Sequence, residues 1–471
     1  MAHGGRVIKD SYIVTLAKHV DSRSPKAKAV AKKYGARITK TYHSALNGYA
    51  VKLSAKQAKR LAKDAAVRSV VQDQVVTASA TQPGPSSWGL DRVDQRVLPL
   101  NASYTYPDGA GQGVTVYVID SGVRVTHQDF GGRAVHGYDA IDGDNIADDG
   151  HGHGTHVAAT VAGTSYGVAK NAKIVAVRVL DDNGSGTSSG VLAGIDWVAQ
   201  HAVKPAVVNM SLSSAAHSAM DTAVRNSIAS GITYAVAAGN YNADVSGYSP
   251  ARVSEAITVG ATSISDARDS YSNYGSGVDM FAPGSSITSA WTGSDTATNT
   301  ISGTSMATPH VAGAAAVYLA DRPTSTPAQV ASALTSAATT KVVTNVGTGT
   351  TDKLLYLGSR FDNTADYPIA DFTTVQSPIT VTGVTGNAPS TLRVSVDIKH
   401  TAIGDLQTEL IAPDGSAYRL KNYSDGGSTD NLITSYTVDA SSETANGTWK
   451  LLVSDNSRRD TGRIDSWSLQ F

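Results

Sequence analysis

Between residues 88 and 358, short apolar runs alternate with segments of helical composition. The runs lack a polar residue at every second position, which is typical of parallel strands covered by helices on both faces. The apolar runs are VTVYVID, IVAVRVL, PAVVNMSL, ITYAVAA and EAITVGA, and the helical segments between them include HGTHVAATVAG, SSGVLAGIDWVAQHAV and SAMDTAVRNSIASG. The alternation predicts a doubly wound α/β domain with a mostly parallel sheet, which we place at residues 81–360.

A small α+β domain is predicted before it, over residues 6–80. Its predicted elements are the strand SYIVTLAKHV, the helix PKAKAVAKKYGA, the strand ALNGYAVKL, the helix SAKQAKRLAKDA with a capping serine, and the strand VRSVVQDQVVT. The stretch ASATQPGPSSW is rich in Ser, Pro and Gly, which indicates an exposed linker of the kind that proteases cut.

After Asp362 the pattern changes to alternating strands with Asp-Gly and Asn-Gly turns. The strand-like segments are TLRVSVDIKHT, LQTELIAPDG, GTWKLLVSD and RIDSWSLQF. We therefore expect a β-sandwich over residues 366–471.

The formal charge of −1 conceals an asymmetry, because residues 1–80 carry a net charge of +12 and residues 81–471 carry −13. Clustered Lys and Arg can neutralise nucleic-acid phosphates, but they can equally attract an acidic domain of the same chain. The periodic apolar positions in this segment favour a folded partner, and we expect no nucleic-acid binding.

Cysteine is absent, so any stabilisation beyond core burial must come from a bound metal rather than a disulfide. No apolar run is long enough to span a bilayer, and we expect a monomer without a membrane partner. The first residues, MAHGGRVIKD, lack the apolar core of a signal peptide. Either the chain is cytosolic or an export signal has been removed, and residues 1–5 favour the second. We expect that an export signal has been removed, that a short artificial start replaces it, and that the protein is secreted.

Candidate catalytic residues stand where predicted strands end and helices begin. Asp120 ends VTVYVID, His153 opens HGTHVAATVAG, and Ser305 lies at the start of a long small-residue helix with Pro309 in its first turn. A serine hydroxyl becomes a nucleophile when an imidazole takes its proton, and a carboxylate holds that imidazole. Asn240, at the end of another strand, offers an amide for an oxyanion hole.

VIDSG, HGHGTHVA, AAGN and GTSMATPHVAG resemble the four signatures of the subtilisin superfamily of serine proteases. VRVLDDNGSG and SNYGSGVDMFAPG resemble its proteinase K branch. The resemblance implies that His153 is catalytic, that His156 is structural, and that His151 has no assigned role. A zinc site made by these three histidines is a less favoured alternative, because no carboxylate or cysteine nearby completes it.

The resemblance also implies a cleft that binds an extended peptide as an added strand. Its predicted walls are Gly184, Ser185 and Gly186 on one side, Ser211, Leu212 and Ser213 on the other, and Ala237, Ala238 and Gly239 at the first pocket. Ser213 replaces the usual glycine of the family. Since none of these segments is acidic, we expect broad specificity that favours apolar and aromatic side chains.

A structural calcium site is implied in the same way. The matching positions are the carboxylate of Asp279 and the backbone carbonyls of Ser254 and Ala256. Oxygen atoms are the ligands that calcium prefers. Asp405, Asp414 and Asp455 are weaker candidates for calcium ligands, because they lie in or near turns.

The flanking domains resemble the inhibitor-type propeptide of subtilases and the jelly-roll-like P domain of kexin- and furin-like convertases. The resemblance implies a zymogen whose propeptide inhibits the enzyme and is cut off near residues 77–83. The leading expectation is a secreted, calcium-stabilised serine endopeptidase of broad specificity. The alternatives are a selective processing protease and an inactive binding protein on a protease scaffold.

Overall fold

The structure is a computed structural model that describes residues 7–17, 19–43, 47–74, 79–107, 109–358, 360–363, 365–381, 384, 386–458 and 460–471. The chain folds into two compact units. One contains residues 1–76 together with 359–471, and the other contains residues 77–358. No helix in the described ranges combines the length and apolarity needed to cross a bilayer.

The N-terminal segment folds as an antiparallel sheet with two helices. Its elements are β1 Val7–Leu16, α1 Pro25–Lys33, β2 Arg37–Tyr42, β3 Gly48–Lys52, α2 Ala55–Leu61 and β4 Val67–Gln74, with the strand order β2-β3-β1-β4. Ser54 caps the start of α2 in a capping box, in which its hydroxyl accepts from the Gln57 backbone and the Gln57 side chain accepts from the Ser54 backbone. The sheet buries Val14 and Tyr49 against helix residues such as Leu61. The predicted α+β fold is confirmed.

The unit formed by residues 77–358 contains most of the helices. Its elements are β5 Ser79–Pro83, α3 Trp88–Val93, β6 Ser103–Pro107, β7 Thr115–Asp120, β8 Ala134–Asp139, α4 His153–Ala162, β9 Lys173–Arg178, α5 Ser188–His201, β10 Ala206–Met210, β11 Ser214–Ala215, α6 Ser218–Ala229, β12 Thr233–Ala237, β13 Tyr248–Ser249, β14 Ile257–Thr262, β15 Met280–Pro283, β16 Ile287–Ala290, β17 Thr298–Ile301, α7 Thr304–Asp321 and α8 Pro327–Ala337. Short 3₁₀ turns lie at Gln128–Phe130 and Val245–Gly247.

Seven of these strands form a parallel sheet in the order β15-β14-β12-β10-β7-β9-β8. Alternate residues of each strand enter separate cores, as a sheet covered on both faces requires. On β7, Val116 and Val118 pack with α4 and α7 on one face, whereas Tyr117 and Ile119 pack with α5 and α6 on the other. The doubly wound fold is therefore confirmed.

The chain crosses from one side of β7 to the other between β9 and β10. Ligands of open parallel sheets bind at such a crossing, beyond the carboxyl ends of the strands. Asp120 is the last residue of β7, and Ser211 directly follows β10. The topology thus brings two predicted site residues to the same edge.

The C-terminal region consists of two antiparallel sheets around one core. Its strands are β18 Arg360–Asn363, β19 Tyr367–Ile369, β20 Thr374–Val381, β21 Leu392–His400, β22 Leu406–Ile411, β23 Ala417–Lys421, β24 Leu432–Val438, β25 Gly447–Asp455 and β26 Gly462–Gln470, with a 3₁₀ turn at Ile403–Asp405. One sheet has the order β18-β26-β21-β24 with β19 on β26, and the other has the order β20-β25-β22-β23. Trp467 of the first sheet and Trp449 of the second are both buried in the shared core, which confirms the β-sandwich.

Two local expectations are wrong. The stretch ASATQPGPSSW is not entirely a linker, because Ser79–Pro83 forms β5, which pairs with β6. Pro309 lies inside α7 rather than in its first turn, because the helix begins at Thr304. Residues 77 and 78, at the start of the expected cleavage region, lie outside the described residues.

Candidate active site

Asp120 and His153 form a buried pair at the end of the central strand. Asp120 Oδ1 lies 2.7 Å from His153 Nδ1 and accepts a second bond from the Ser121 backbone N–H at 2.7 Å. The carboxylate is fully buried, whereas the imidazole keeps 19% of its side-chain surface exposed. Burial lowers the pKa of His153, but the charge and hydrogen bond of Asp120 outweigh it, so that the pKa is raised above its usual value.

Glycines allow α4 to begin so close to β7. Gly152 has φ +108°, and a Cβ at this residue would lie 2.3 Å from the Trp291 ring. A Cβ on Gly154 would lie 2.0 Å from the carbonyl oxygen of Gly122. Any larger residue at these two positions would push His153 away from Asp120.

Asp149 ties the start of α4 to the end of β7. Its Oδ1 accepts from the Ser121 hydroxyl at 2.9 Å and from the Gly152 backbone at 2.7 Å, and its Oδ2 accepts from the Thr155 backbone and hydroxyl. The Ser121 hydroxyl oxygen in turn accepts from the Gly154 backbone at 2.9 Å. The sequence analysis missed this network, although an acidic residue four positions before His153 was the available signal.

Ser305 occupies the second position of α7, where backbone N–H groups are free. Pro309 has no N–H to bond the Ser305 carbonyl, and that oxygen instead accepts from the Ser211 hydroxyl at 2.8 Å. The Ser305 hydroxyl donates to the Ser211 carbonyl at 3.0 Å. This reciprocal pair fixes the candidate nucleophile to the chain just beyond β10.

No hydrogen bond joins Ser305 to His153 among the described residues, because the hydroxyl points to Ser211. Catalytic hydrogen bonds are often loose without substrate, and a serine hydroxyl moves between staggered positions by rotation about one bond. The structure therefore builds the Asp120–His153 half of the predicted triad and leaves the second contact unmade.

Asn240 stands beside the start of α7 with its amide oriented. Its Oδ1 accepts from the backbone N–H and the hydroxyl of Thr304, both at 2.8 Å, which leaves Nδ2 as a donor. A Cβ on Gly303 would lie 3.3 Å from this Nδ2. The backbone N–H of Ser305 makes no hydrogen bond within the described residues. Two donors thus lie close to Ser305.

A cleft of about 440 Å³ opens beside His153. It is lined by both predicted walls, Gly184–Gly186 and Ser211–Ser213, together with His151 and apolar side chains of Leu180, Val191 and Met220. Ser213 is among the lining residues. Ala237, Ala238 and Gly239 are not part of this lining, since Ala237 and Ala238 are buried and Gly239 is held by Thr304 and Asn273.

Asp279 carries the predicted calcium carboxylate. Its Oδ2 accepts from the Thr258 backbone at 2.8 Å, and burial raises the pKa of the group to about 6. A bound cation would offset the burial of this carboxylate, and the hard oxygen donors at Asp279, Ser254 and Ala256 suit calcium. No group of three or more His, Cys, Asp or Glu side chains is placed for a metal in the described part of the chain.

His156 and His310 are fully buried. His156 Nε2 bonds the Ile287 carbonyl at 3.0 Å, and His310 Nδ1 bonds the Met306 carbonyl at 2.9 Å. Burial lowers the pKa of each to about 4, so both are neutral at pH 7. Because His156 is turned into the core, the alternative zinc site of three histidines is not built.

Residues 111–358 match the model of the Subtilase family, which covers more than half of the chain. The chain belongs to the subtilase family. It is a serine endopeptidase. Residues 11–79 match the Peptidase inhibitor I9 family, and residues 389–471 match the Proprotein convertase P-domain family. The three resemblances seen in the sequence are therefore confirmed.

Individual subtilases are similar over most of the chain. An "Extracellular serine proteinase" of Thermus sp. (strain Rt41A) is 58% identical over 68% of this chain and 78% of its own length. An "Alkaline serine exoprotease A" of Vibrio alginolyticus is 46% identical over 78% of this chain and 70% of its own. The crystal structure of a cold adapted subtilisin-like serine proteinase superposes with a TM-score of 0.57 at 55% identity, covering 58% of this chain and all of that one. Subtilases commonly bind structural calcium.

Proposed function

We propose that this subtilase cleaves peptide bonds with the triad Asp120, His153 and Ser305. The observation that carries the proposal is the 2.7 Å contact between Asp120 and His153 at the edge of a cleft that Ser211 also lines. The Ser305 hydroxyl first leaves the Ser211 carbonyl and donates to His153 Nε2. As Ser305 Oγ attacks the substrate carbonyl carbon, His153 takes its proton and Asp120 stabilises the imidazolium.

The negative charge that develops on the substrate oxygen is received by Asn240 Nδ2 and the Ser305 backbone N–H. His153 then gives its proton to the leaving amine, and an acyl-enzyme ester remains on Ser305. Water attacks this ester with His153 again as base, which releases the acid product and restores the serine. Thr304 contributes by fixing the Asn240 amide before the charge appears.

The cleft supports a broad preference for apolar and aromatic side chains at the residue before the cut. Its lining includes Leu180, Leu212 and Met220 but no Asp or Glu among the described residues. A pocket that selects lysine or arginine needs a carboxylate to pair the cation. The peptide would lie as an added strand between Gly184–Gly186 and Ser211–Ser213.

The N-terminal domain, over residues 6–80, would act as an intramolecular inhibitor until the protein cuts its own chain near residues 77–83. β5 pairs with β6 inside the catalytic unit, so we place the cut near the beginning of β5. The +12 charge of residues 1–80 and the −13 charge of the remainder favour their association. We propose that the mature enzyme, residues 81–360 with the P domain at 366–471, is secreted.

Calcium would bind at Asp279 with the carbonyls of Ser254 and Ala256, and would stabilise a chain that has no disulfide. The ion supplies a fixed positive charge beside a buried carboxylate when it is bound. We propose that the P domain stabilises the catalytic domain.

The test is incubation of the purified chain with calcium and a mixed peptide library, read by mass spectrometry, with the Ser305→Ala variant as control. We expect internal cleavage after apolar and aromatic residues, self-cleavage near residues 77–83, and neither in the variant. Cleavage confined to one sequence context would favour a selective processing protease. Undiminished cleavage by Ser305→Ala would overturn the proposal.

A further inference from the structure

His151 lies on the cleft wall beside His153, and the proposed reaction gives it no role. The two ring centres are 6.3 Å apart with the planes tilted by 55°, and the Trp291 ring centre lies 6.3 Å from that of His151. The His151 backbone is fixed, because its N–H donates to Asp149 at 3.0 Å. The ring is half-buried at the edge of the cleft.

Neither ring nitrogen of His151 has a hydrogen-bond partner within the described residues, and its Nδ1 is buried in that state. A buried nitrogen without a partner loses the hydrogen bond that it would make in water. On His153 only Nε2 is available, since Nδ1 is held by Asp120. Because Nδ1 of His151 is buried, the nitrogen atoms that the two neighbouring imidazoles leave available at the cleft are His151 Nε2 and His153 Nε2.

We propose that His151 and His153 together bind a zinc ion, which inhibits the enzyme reversibly by occupying the nitrogen that takes the Ser305 proton. Imidazole is a preferred zinc ligand, with Zn–N bonds of about 2.0–2.1 Å. A tetrahedral ion held by two imidazoles places the ring centres about 5 Å apart, so the rings must approach by roughly 1 Å. Gly184 leaves space beside His151 Nε2, because a Cβ at this residue would lie only 3.1 Å from that nitrogen.

The site has two protein nitrogen ligands rather than the three or four of a permanent zinc site. His156 cannot join it, since its Nε2 bonds Ile287 inside the core. Asp149 is also excluded, because both of its oxygens are already occupied by hydrogen bonds. The remaining positions would be filled by water or by the Ser305 hydroxyl oxygen, so binding is open to the solvent and reversible. This inference rests on the proposed role of His153 as the general base.

The test has two arms, both in saturating calcium so that zinc does not act at the calcium site. In the first, the inhibition constant for zinc chloride is measured with a peptide substrate for the unaltered enzyme and for His151→Asn. His201→Asn is the matched control, because His201 is an exposed histidine at the end of α5. We expect His151→Asn to raise the inhibition constant at least about tenfold, and His201→Asn to leave it unchanged.

The second arm measures zinc binding by calorimetry on the mature enzyme, after it has cut off its N-terminal domain and without peptide substrate. One zinc ion per chain should bind, and binding should be lost in mature His151→Asn. Equal inhibition constants with and without His151, or no zinc binding to the mature enzyme, would overturn the inference. Failure of the proposed catalytic function would appear separately, as peptidase activity that survives Ser305→Ala.

Discussion

Acid should weaken the catalytic domain through His310, and the size of the effect follows from its burial. Burial lowers the pKa of His310 to about 4, whereas an unfolded histidine has a pKa near 6.5. Below pH 6.5 the unfolded state therefore binds a proton that the folded state does not, so folding stability falls as the pH drops from 6.5 to 4. The difference of about 2.5 pH units corresponds to roughly 3 kcal/mol at pH 4.

The assay is calorimetric unfolding of Ser305→Ala, which avoids self-digestion, with and without His310→Gln, between pH 7.5 and 4. Carboxyl groups titrate in the same pH range, and among them burial raises the pKa of Asp94 to about 7. Their contribution to the pH dependence of stability is the same in Ser305→Ala with and without His310→Gln, so it cancels in the comparison. The stability advantage of His310 over glutamine should shrink by about 3 kcal/mol on acidification. An advantage that does not change with pH would refute the reasoning. His201→Asn, at an exposed histidine, should show no such trend.

Four further outcomes are expected. Asp120→Asn should lower kcat by about 10⁴. It should also move the acid limb of the pH profile of kcat/KM to lower pH, because the carboxylate that raises the pKa of His153 is gone. An acid limb that does not move would contradict this prediction. Asn240→Ala should lower kcat by about 10²–10³ with little change in KM, the magnitude known for the corresponding asparagine of subtilisin; a pure KM effect would argue against an oxyanion role. In a Ser305→Ala background, Asp279→Asn should abolish much of the rise in melting temperature that calcium produces, because a ligand at 100 times its Kd stabilises the folded state by about 2.7 kcal/mol. The control Asp439→Asn, at an exposed carboxylate, should keep the rise. A full calcium response in Asp279→Asn would contradict the proposed site. Gly154→Ala should lower the free energy of unfolding by about 1–3 kcal/mol or more, since its Cβ would meet the Gly122 backbone. Gly247→Ala, with open space around the added Cβ, should leave the stability nearly unchanged. Equal stability of the two variants would be inconsistent with the close approach of Gly154 to Gly122.

The buried strands and long helices could be predicted because their sequences carry the required pattern. β7 and β10 are fully buried apolar runs, and α4 to α7 were each predicted to within a few residues. Two of the missed elements carry no such signal. The residues of β2 are mostly exposed and charged or polar, and β5 is formed from a Ser/Thr/Pro-rich stretch that becomes a strand only by pairing with β6.

The sequence predicts those residues of the candidate site whose type and position at a strand end or helix start together indicate a catalytic role. Asp120, His153 and Ser305 each stand at a strand end or helix start, and the structure places the first two in contact. The Asp149 network and the exchange of hydrogen bonds between Ser305 and Ser211 depend on contacts distant in sequence. Such contacts leave no periodic pattern, so sequence spacing could not reveal them.

The most direct measurement is reaction of the mature enzyme with a fluorophosphonate, followed by mass spectrometry of the labelled peptide. We expect one phosphonyl group on Ser305 Oγ, loss of peptidase activity in step with labelling, and almost no labelling of His153→Ala. A label on another residue, or an enzyme that remains active with Ser305 fully labelled, would contradict the proposed triad.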